Sequence, residues 1–252
     1  MPRSVPLAER LRQSSEQPPK WHLDVVHHCL KLTWGHIPGW RPASGRGSAL
    51  PLRPPNEWIA EAAETGLGVE LEMAAIKLAM SSLPSFPPEA YLAVNASPAT
   101  ILSPELSETL ATLPVERIVV ELTEHEMVES YNEIIATLQP FRTRGLRLAV
   151  DDAGTGYSSL QHILYLRPDL IKLDMNLTRS IDLDPSRRAL ASALVKFARE
   201  TNARIIAEGV ETDAELTTLR QLGIEKVQGY LLGRPEPLAA AMRIFETDNR
   251  AA

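Results

Sequence analysis

The sequence predicts an α/β protein built on a (β/α)8-type barrel. Three observations carry that expectation. Short apolar runs recur along the chain, longer amphipathic stretches separate them, and each run closes on a side chain able to do chemistry. Short buried strands alternating with helices read as βα units around a parallel sheet. Six such units are visible and the N-terminal third is left to supply more; an open, doubly wound sheet is the runner-up.

In chain order, residues 1–20 are a polar segment, where Leu7 to Gln13 can form a short helix that Gln17-Pro18-Pro19 stops. Residues 21–248 are expected to form one barrel domain with an atypical first-strand region. Between Trp21 and Pro55 no periodicity is visible, and His22, His27, His28 and His36 lack the spacing of a zinc site. Order begins after Pro54-Pro55. Asn56 is a candidate cap for a helix ending at Thr65-Gly66, and Glu70 to Met80 is a second helical stretch. The strands expected next are Tyr91–Val94, Arg117–Val120, Leu146–Val150, Leu170–Leu173, Arg204–Ala207 and Lys226–Val227. Between them lie the helical stretches Pro104–Leu113, Met127–Arg144, Ser158–Leu166, Ser186–Thr201 and Asp213–Leu222.

Bulk properties narrow the function. With 252 residues, 44% of them hydrophobic, the chain is long enough for a large core. A net charge of −6 and a pI near 5.6 argue against a protein that coats nucleic acid. A small phosphorylated ligand stays open, because metal ions neutralise such a ligand locally. Cys29 is the only cysteine, which excludes an internal disulfide and fits a reducing cytoplasm. No apolar run reaches the roughly 18 residues of a membrane span, and Met1-Pro2-Arg3-Ser4 leads into no signal-peptide core. A soluble cytoplasmic protein, or a soluble piece of a larger one, is expected.

The strand ends carry the chemistry. They are Asn95, Glu121, Asp151 with Asp152, Lys172 with Asp174, Glu208 with Glu211, and Gln228. In a barrel these ends surround one mouth, where active sites lie. Asn95, Glu121, Asp151 and Asp152 offer hard oxygen ligands for one or two divalent cations such as Mg²⁺ or Mn²⁺. Such ions lower the pKa of a bound water and stabilise charge on a phosphoryl group. Lys172 can orient that water or hold a phosphate oxygen, or simply pair with Asp174. Glu208 can be a further ligand or hold the attacking water, and Gln228 offers both a donor and an acceptor. No histidine ends a strand, so a metal-assisted hydrolase is favoured over Ser-His-Asp or Cys-His catalysis.

These residues sit in motifs that resemble the EAL-domain family. The motifs are Val94-Asn95-Ala96-Ser97, Glu121-Leu122-Thr123-Glu124, Asp151-Asp152-Ala153-Gly154-Thr155-Gly156-Tyr157-Ser158-Ser159-Leu160, Ile171-Lys172-Leu173-Asp174, Ala207-Glu208-Gly209-Val210-Glu211-Thr212 and Gln228-Gly229-Tyr230. Pro54-Pro55-Asn56-Glu57-Trp58-Ile59 and Ala63-Glu64-Thr65-Gly66-Leu67 resemble a further segment, so the likeness runs from about Pro54 to Leu238. The resemblance implies a modified TIM barrel that binds cyclic di-GMP and, with Mg²⁺ or Mn²⁺ in a two-metal site, hydrolyses it to linear pGpG. It further implies that Asn95, Glu121, Asp151 and Asp152 bind metal. Lys172 and Glu208 would position and activate the water, and Gln228 and Asp174 would lie on the ligand side. Glu124, with Glu211, would steady the loops, and the chain would form a homodimer. Ala153 stands where Phe is usual.

One departure lies upstream. The family carries a Glu-Ala-Leu-X-Arg motif on its first strand, whose Glu is a metal ligand and whose Arg grips a phosphate. Residues Trp34 to Leu52, which stand in that place, contain no acid. Two explanations compete: a degenerate domain that binds cyclic di-GMP or a protein without catalysis, and a local reading-frame shift over residues 20–53. Regrouping the codons of Pro38-Gly39-Trp40-Arg41-Pro42 permits Gly-Val-Glu-Ala but no following Leu.

Overall fold

The computed structural model describes residues 55–88, 90–122, 128, 130–154 and 157–234. They divide in sequence at Arg147 and Leu148 into two compact units. Residues 1–54, with the polar segment, the histidines and the missing motif, lie outside the described residues, as does Glu124.

The first unit opens with α1 (Pro55–Glu64) and α2 (Gly68–Ser81). Asn56 lies inside α1 instead of capping it. α1 ends with Leu67 N–H reaching back to the Ala62 carbonyl at 2.8 Å. α2 buries Leu71, Met73, Ile76, Ala79 and Met80. A 3-10 turn (Leu83–Ser85) leads to β1 (Leu92–Ala96), followed by α3 (Pro98–Leu102) and α4 (Pro104–Ala111). Ser97 and Ser103 cap these two helices by accepting from the N–H groups of Thr100 and Leu106, each with a proline next. After the turn Val115–Arg117 come β2 (Ile118–Leu122) and α5 (Tyr131–Arg142). β1 and β2 pair in parallel from Leu92 opposite Ile118 to Ala96 opposite Leu122. Both are buried almost throughout, as strands of a parallel sheet covered on two faces are.

The second unit contains β3 (Arg147–Ala153, entered from the first), α6 (Tyr157–Leu166), β4 (Leu170–Leu173) and the one-turn α7 (Met175–Thr178). α8 (Pro185–Glu200), β5 (Arg204–Ala207), α9 (Asp213–Gln221) and β6 (Lys226–Val227) complete it. β3, β4, β5 and β6 pair in that order, all parallel. α8 turns Ala191, Leu194, Val195 and Ala198 inward, the spacing of one helical stripe. Among the described residues no helix is long and apolar enough to cross a membrane.

Strands β1, β2 and β3 run two or three residues beyond their expected ends. Asn95, Glu121, Asp151 and Asp152 therefore lie within strands, not after them. A polar side chain ends an apolar run in the sequence, yet its backbone can stay in the ladder.

Candidate functional site

In the second unit, two neighbouring carboxylates on β3 meet the end of β5 across β4. A regular strand points adjacent side chains to opposite faces. Here the ladder pairs Val150 with Ile171 and Ala153 with Leu173, so Asp151 and Asp152 together stand opposite Lys172 alone. That is a β-bulge, and Asp152 carries it with a left-handed φ of 52°, a conformation Asp adopts more readily than most residues. The Asp152 N–H turns back to donate to Asp151 Oδ1 at 3.0 Å. The bulge, not a turn after the strand, lets both carboxylates serve one place.

Lys172 comes from the middle of the unit. Its side chain is 1% exposed, and its Nζ lies 3.1 Å from Asp151 Oδ1 and 2.6 Å from Glu208 Oε1. β4 stands between β3 and β5, so the ammonium bridges the acids of its two neighbours. Asp151 and Glu208 keep 15% and 16% exposure, which leaves each a route to solvent. One oxygen from each of Asp151, Asp152 and Glu208 lies within 4.8 Å of the other two. Clustered hard carboxylate oxygens of this kind fit Mg²⁺ or Mn²⁺ and disfavour softer metals.

Glu208 follows the last residue of β5 and is held on three sides. Its N–H donates to the Leu173 carbonyl at 3.1 Å, and its carbonyl accepts from the Thr178 hydroxyl. The next residue, Gly209, has φ of 69°, and a Cβ there would lie 2.5 Å from Met175 Cβ. Val210 N–H then donates to the carbonyl of Gln228 at 3.0 Å. Gln228 itself lies just after β6, with its side-chain oxygen buried. Asp174 is 8% exposed and caps α7 by accepting from Asn176 N–H at 2.7 Å. Lys172 thus forms ion pairs with Asp151 and Glu208, while Asp174 caps α7. Glu211 reaches outward to Arg179 at 2.7 Å.

Glu215 joins the candidate site through its backbone contacts. This carboxylate is 4% exposed and accepts from the backbone N–H groups of Ser180, Glu211 and Thr212. Burial pushes its pKa up, but those N–H groups and the Thr212 hydroxyl outweigh burial and hold it below the ordinary 4.5. The signal was legible as Thr212-X-X-Glu215, a capping box opening α9.

In the first unit, Asn95 on β1 and Glu121 on β2 are direct partners in the ladder, so they share a face of the strand pair. Glu121 is 3% exposed and Asn95 half-buried.

The family model described as EAL domain matches residues 43–235. The cyclic di-GMP phosphodiesterase PdeR of Escherichia coli (strain K12) is 32% identical over 238 residues, which cover 88% of this chain and 35% of that protein. The cyclic di-GMP phosphodiesterase NbdA of Pseudomonas aeruginosa is 38% identical over 120 residues, 48% of this chain and 15% of the relative. The chain thus spans no more than about a third of the length of these curated relatives. Among solved structures, the PaMucR phosphodiesterase in complex with c-di-GMP matches with TM-score 0.66 and 29% identity, over 74% of this chain and 86% of that one. The manganese and cyclic-diGMP complex of Klebsiella pneumoniae BlrP1 at pH 9.0 matches with TM-score 0.62 and 29% identity, over 73% of this chain and 50% of that one. The fold class is that of these domains, TIM-barrel-like with parallel βα units.

Proposed function

We propose that this chain, which belongs to the EAL-domain family, is a metal-dependent phosphodiesterase that hydrolyses cyclic di-GMP to linear pGpG. The observation that carries this reading is Lys172, buried between Asp151 and Glu208 beside Asp152. Asp151 and Asp152 are assigned to metal, as are Asn95 and Glu121 on the strength of their motifs. A Mg²⁺ or Mn²⁺ ion held by Asp151 and Asp152 would stabilise charge on the phosphoryl group and make a bound water more acidic. Lys172 fixes the direction in which the Glu208 carboxylate faces. Glu208 is assigned as the group that takes the water's proton. The water oxygen bonds to phosphorus, the bond from phosphorus to the 3′ sugar oxygen breaks, and that oxygen leaves with a proton. Gln228 and Asp174 are assigned to the ligand side, and Glu124 and Glu211 to the surrounding loops.

A single EAL-type domain over residues 21–248 is part of this reading, supported by a family match that runs through both compact units. So are a reducing, cytoplasmic setting and a homodimer. The second is supported by the exposed apolar residues Leu160, Leu164 and Tyr165 on α6. One observation favours a second reading, a domain that binds cyclic di-GMP without turning it over: no acid occurs from Trp34 to Leu52. The loss of one carboxylate from a two-metal set weakens metal binding and slows turnover.

The test is to incubate the purified chain with cyclic di-GMP and excess Mn²⁺, separate nucleotides over time, and follow binding by calorimetry. The expected product is pGpG, absent in Asp151→Asn and in Glu121→Ala. Binding without product establishes the second reading. Full turnover in Asp151→Asn overturns the metal assignment.

A further inference from the structure

The geometry points to Glu215 as a positioning residue for Glu208, acting across two loops without touching the acidic cluster; we infer this on the basis of the proposed role of Glu208. Two segments must hold still for Glu208 to keep its place beside Lys172. One is the turn Gly209–Thr212 that follows it, and the other is Thr178–Ser180, whose Thr178 hydroxyl grips the Glu208 carbonyl. Glu215 ties these segments together. Its Oε1 accepts from Ser180 N–H at 2.8 Å, and its Oε2 from Glu211 N–H at 2.9 Å and Thr212 N–H at 3.0 Å. An ordinary capping box needs only the bond to the cap residue. The bonds to Ser180 and Glu211 go beyond that need; Ser180 stands two residues after Thr178, and Glu211 three after Glu208.

The surroundings of the clamp have the same sense. Arg187 donates to the Arg179 carbonyl, and Arg188 to the carbonyls of Ile181 and Asp182 at 3.1 and 2.8 Å. The segment after α7 is thus pinned from α8 on one side and from Glu215 on the other. Ser180 takes a left-handed φ of 55°, a strained conformation for serine that the bond from its N–H helps to hold. A buried carboxylate with two oxygens can serve all three N–H donors. A glutamine has one acceptor oxygen and an NH₂ that repels an N–H, so it keeps the box but loses Ser180.

The test uses the full chain as Glu215→Gln, Glu215→Ala and Leu194→Ala, the last a core truncation in α8 that lowers stability away from the clamp. Turnover of cyclic di-GMP, affinity for Mn²⁺ alone by calorimetry, melting temperature and amide hydrogen exchange over residues 208–212 are measured. The expected result is that Glu215→Gln lowers kcat about ten-fold with KM nearly unchanged, as displacement of a reacting group does. Exchange at 208–212 should quicken in Glu215→Gln and more so in Glu215→Ala, and Mn²⁺ affinity should fall in the same order. Leu194→Ala should lower the melting temperature and move none of these. If the wild-type chain gives no pGpG, the proposed activity fails, while exchange and Mn²⁺ affinity still decide the role of Glu215. Wild-type exchange at 208–212 in Glu215→Ala, or equal effects in Leu194→Ala, would overturn the inference.

Discussion

Lys172 is the residue on which the acidic cluster balances. With 1% of its side chain exposed, it gains little from water and depends on Asp151 and Glu208. Removing one partner of a buried ion pair typically costs about 3 kcal/mol or more, because the remaining charges stay desolvated. Here the acids retain some contact with water, so the cost should lie at the lower end. Lys172→Met is expected to lower the melting temperature by several degrees without metal. Added Mn²⁺ should raise it further in the variant than in the wild type, since a cation then relieves the two facing carboxylates. Scanning calorimetry with and without Mn²⁺ reads both effects, and an unchanged melting temperature would mean that the bridge contributes nothing to the fold.

At the scale of elements, the turns behind the strands carry as much of the site as the strands themselves. Gly229 follows β6, and a Cβ there would lie 2.2 Å from the Val210 carbonyl oxygen and 2.3 Å from its nitrogen. Backbone cannot yield as a flexible side chain does, so Gly229→Ala should push Val210 away and, with it, the turn after Glu208. A cost of about 2 kcal/mol is expected, in the range of forced overpacking. Gly233→Ala, where an added Cβ meets nothing within 4 Å, is the matched control and should be near neutral. Urea denaturation of both variants distinguishes a tight contact from a mere preference for glycine.

Strands Leu170–Leu173, Arg204–Ala207 and Lys226–Val227 are legible because each is a short, mostly apolar stretch set between amphipathic helical ones. The bulge at Asp151 and Asp152 is not, since it arises from register against β4 and leaves no mark on composition. α7 was overlooked because a single turn has no periodicity, although Asp174 marks its cap. α3 was overlooked for the same reason, despite Ser97-Pro98. Glu215 is marked in the sequence only as the far end of a capping box, and its bonds to Ser180 and Glu211 depend on tertiary structure.

At the scale of the whole molecule, α6 sets the question of assembly. Leu160, Leu164 and Tyr165 are 43%, 62% and 56% exposed. Leu160 and Leu164, four residues apart, lie on one face of α6, and Tyr165 lies about 100° further round the helix axis. Single exposed apolar residues need no explanation, but three large ones within two turns of one helix do. Only residues 154–156 separate the end of β3 from the start of α6, so α6 lies close in sequence to Asp151 and Asp152. A homodimer seated on this face would bring the partner copy against a helix close in sequence to the acidic pair. Leu164→Glu places a charge at the most exposed of the three positions, where an isolated chain would tolerate it. It should shift sedimentation from dimer to monomer while the melting temperature measured at low concentration stays close to wild type. If the wild-type chain sediments as a monomer over the same concentrations, or the variant remains dimeric, this face is not the one on which copies meet.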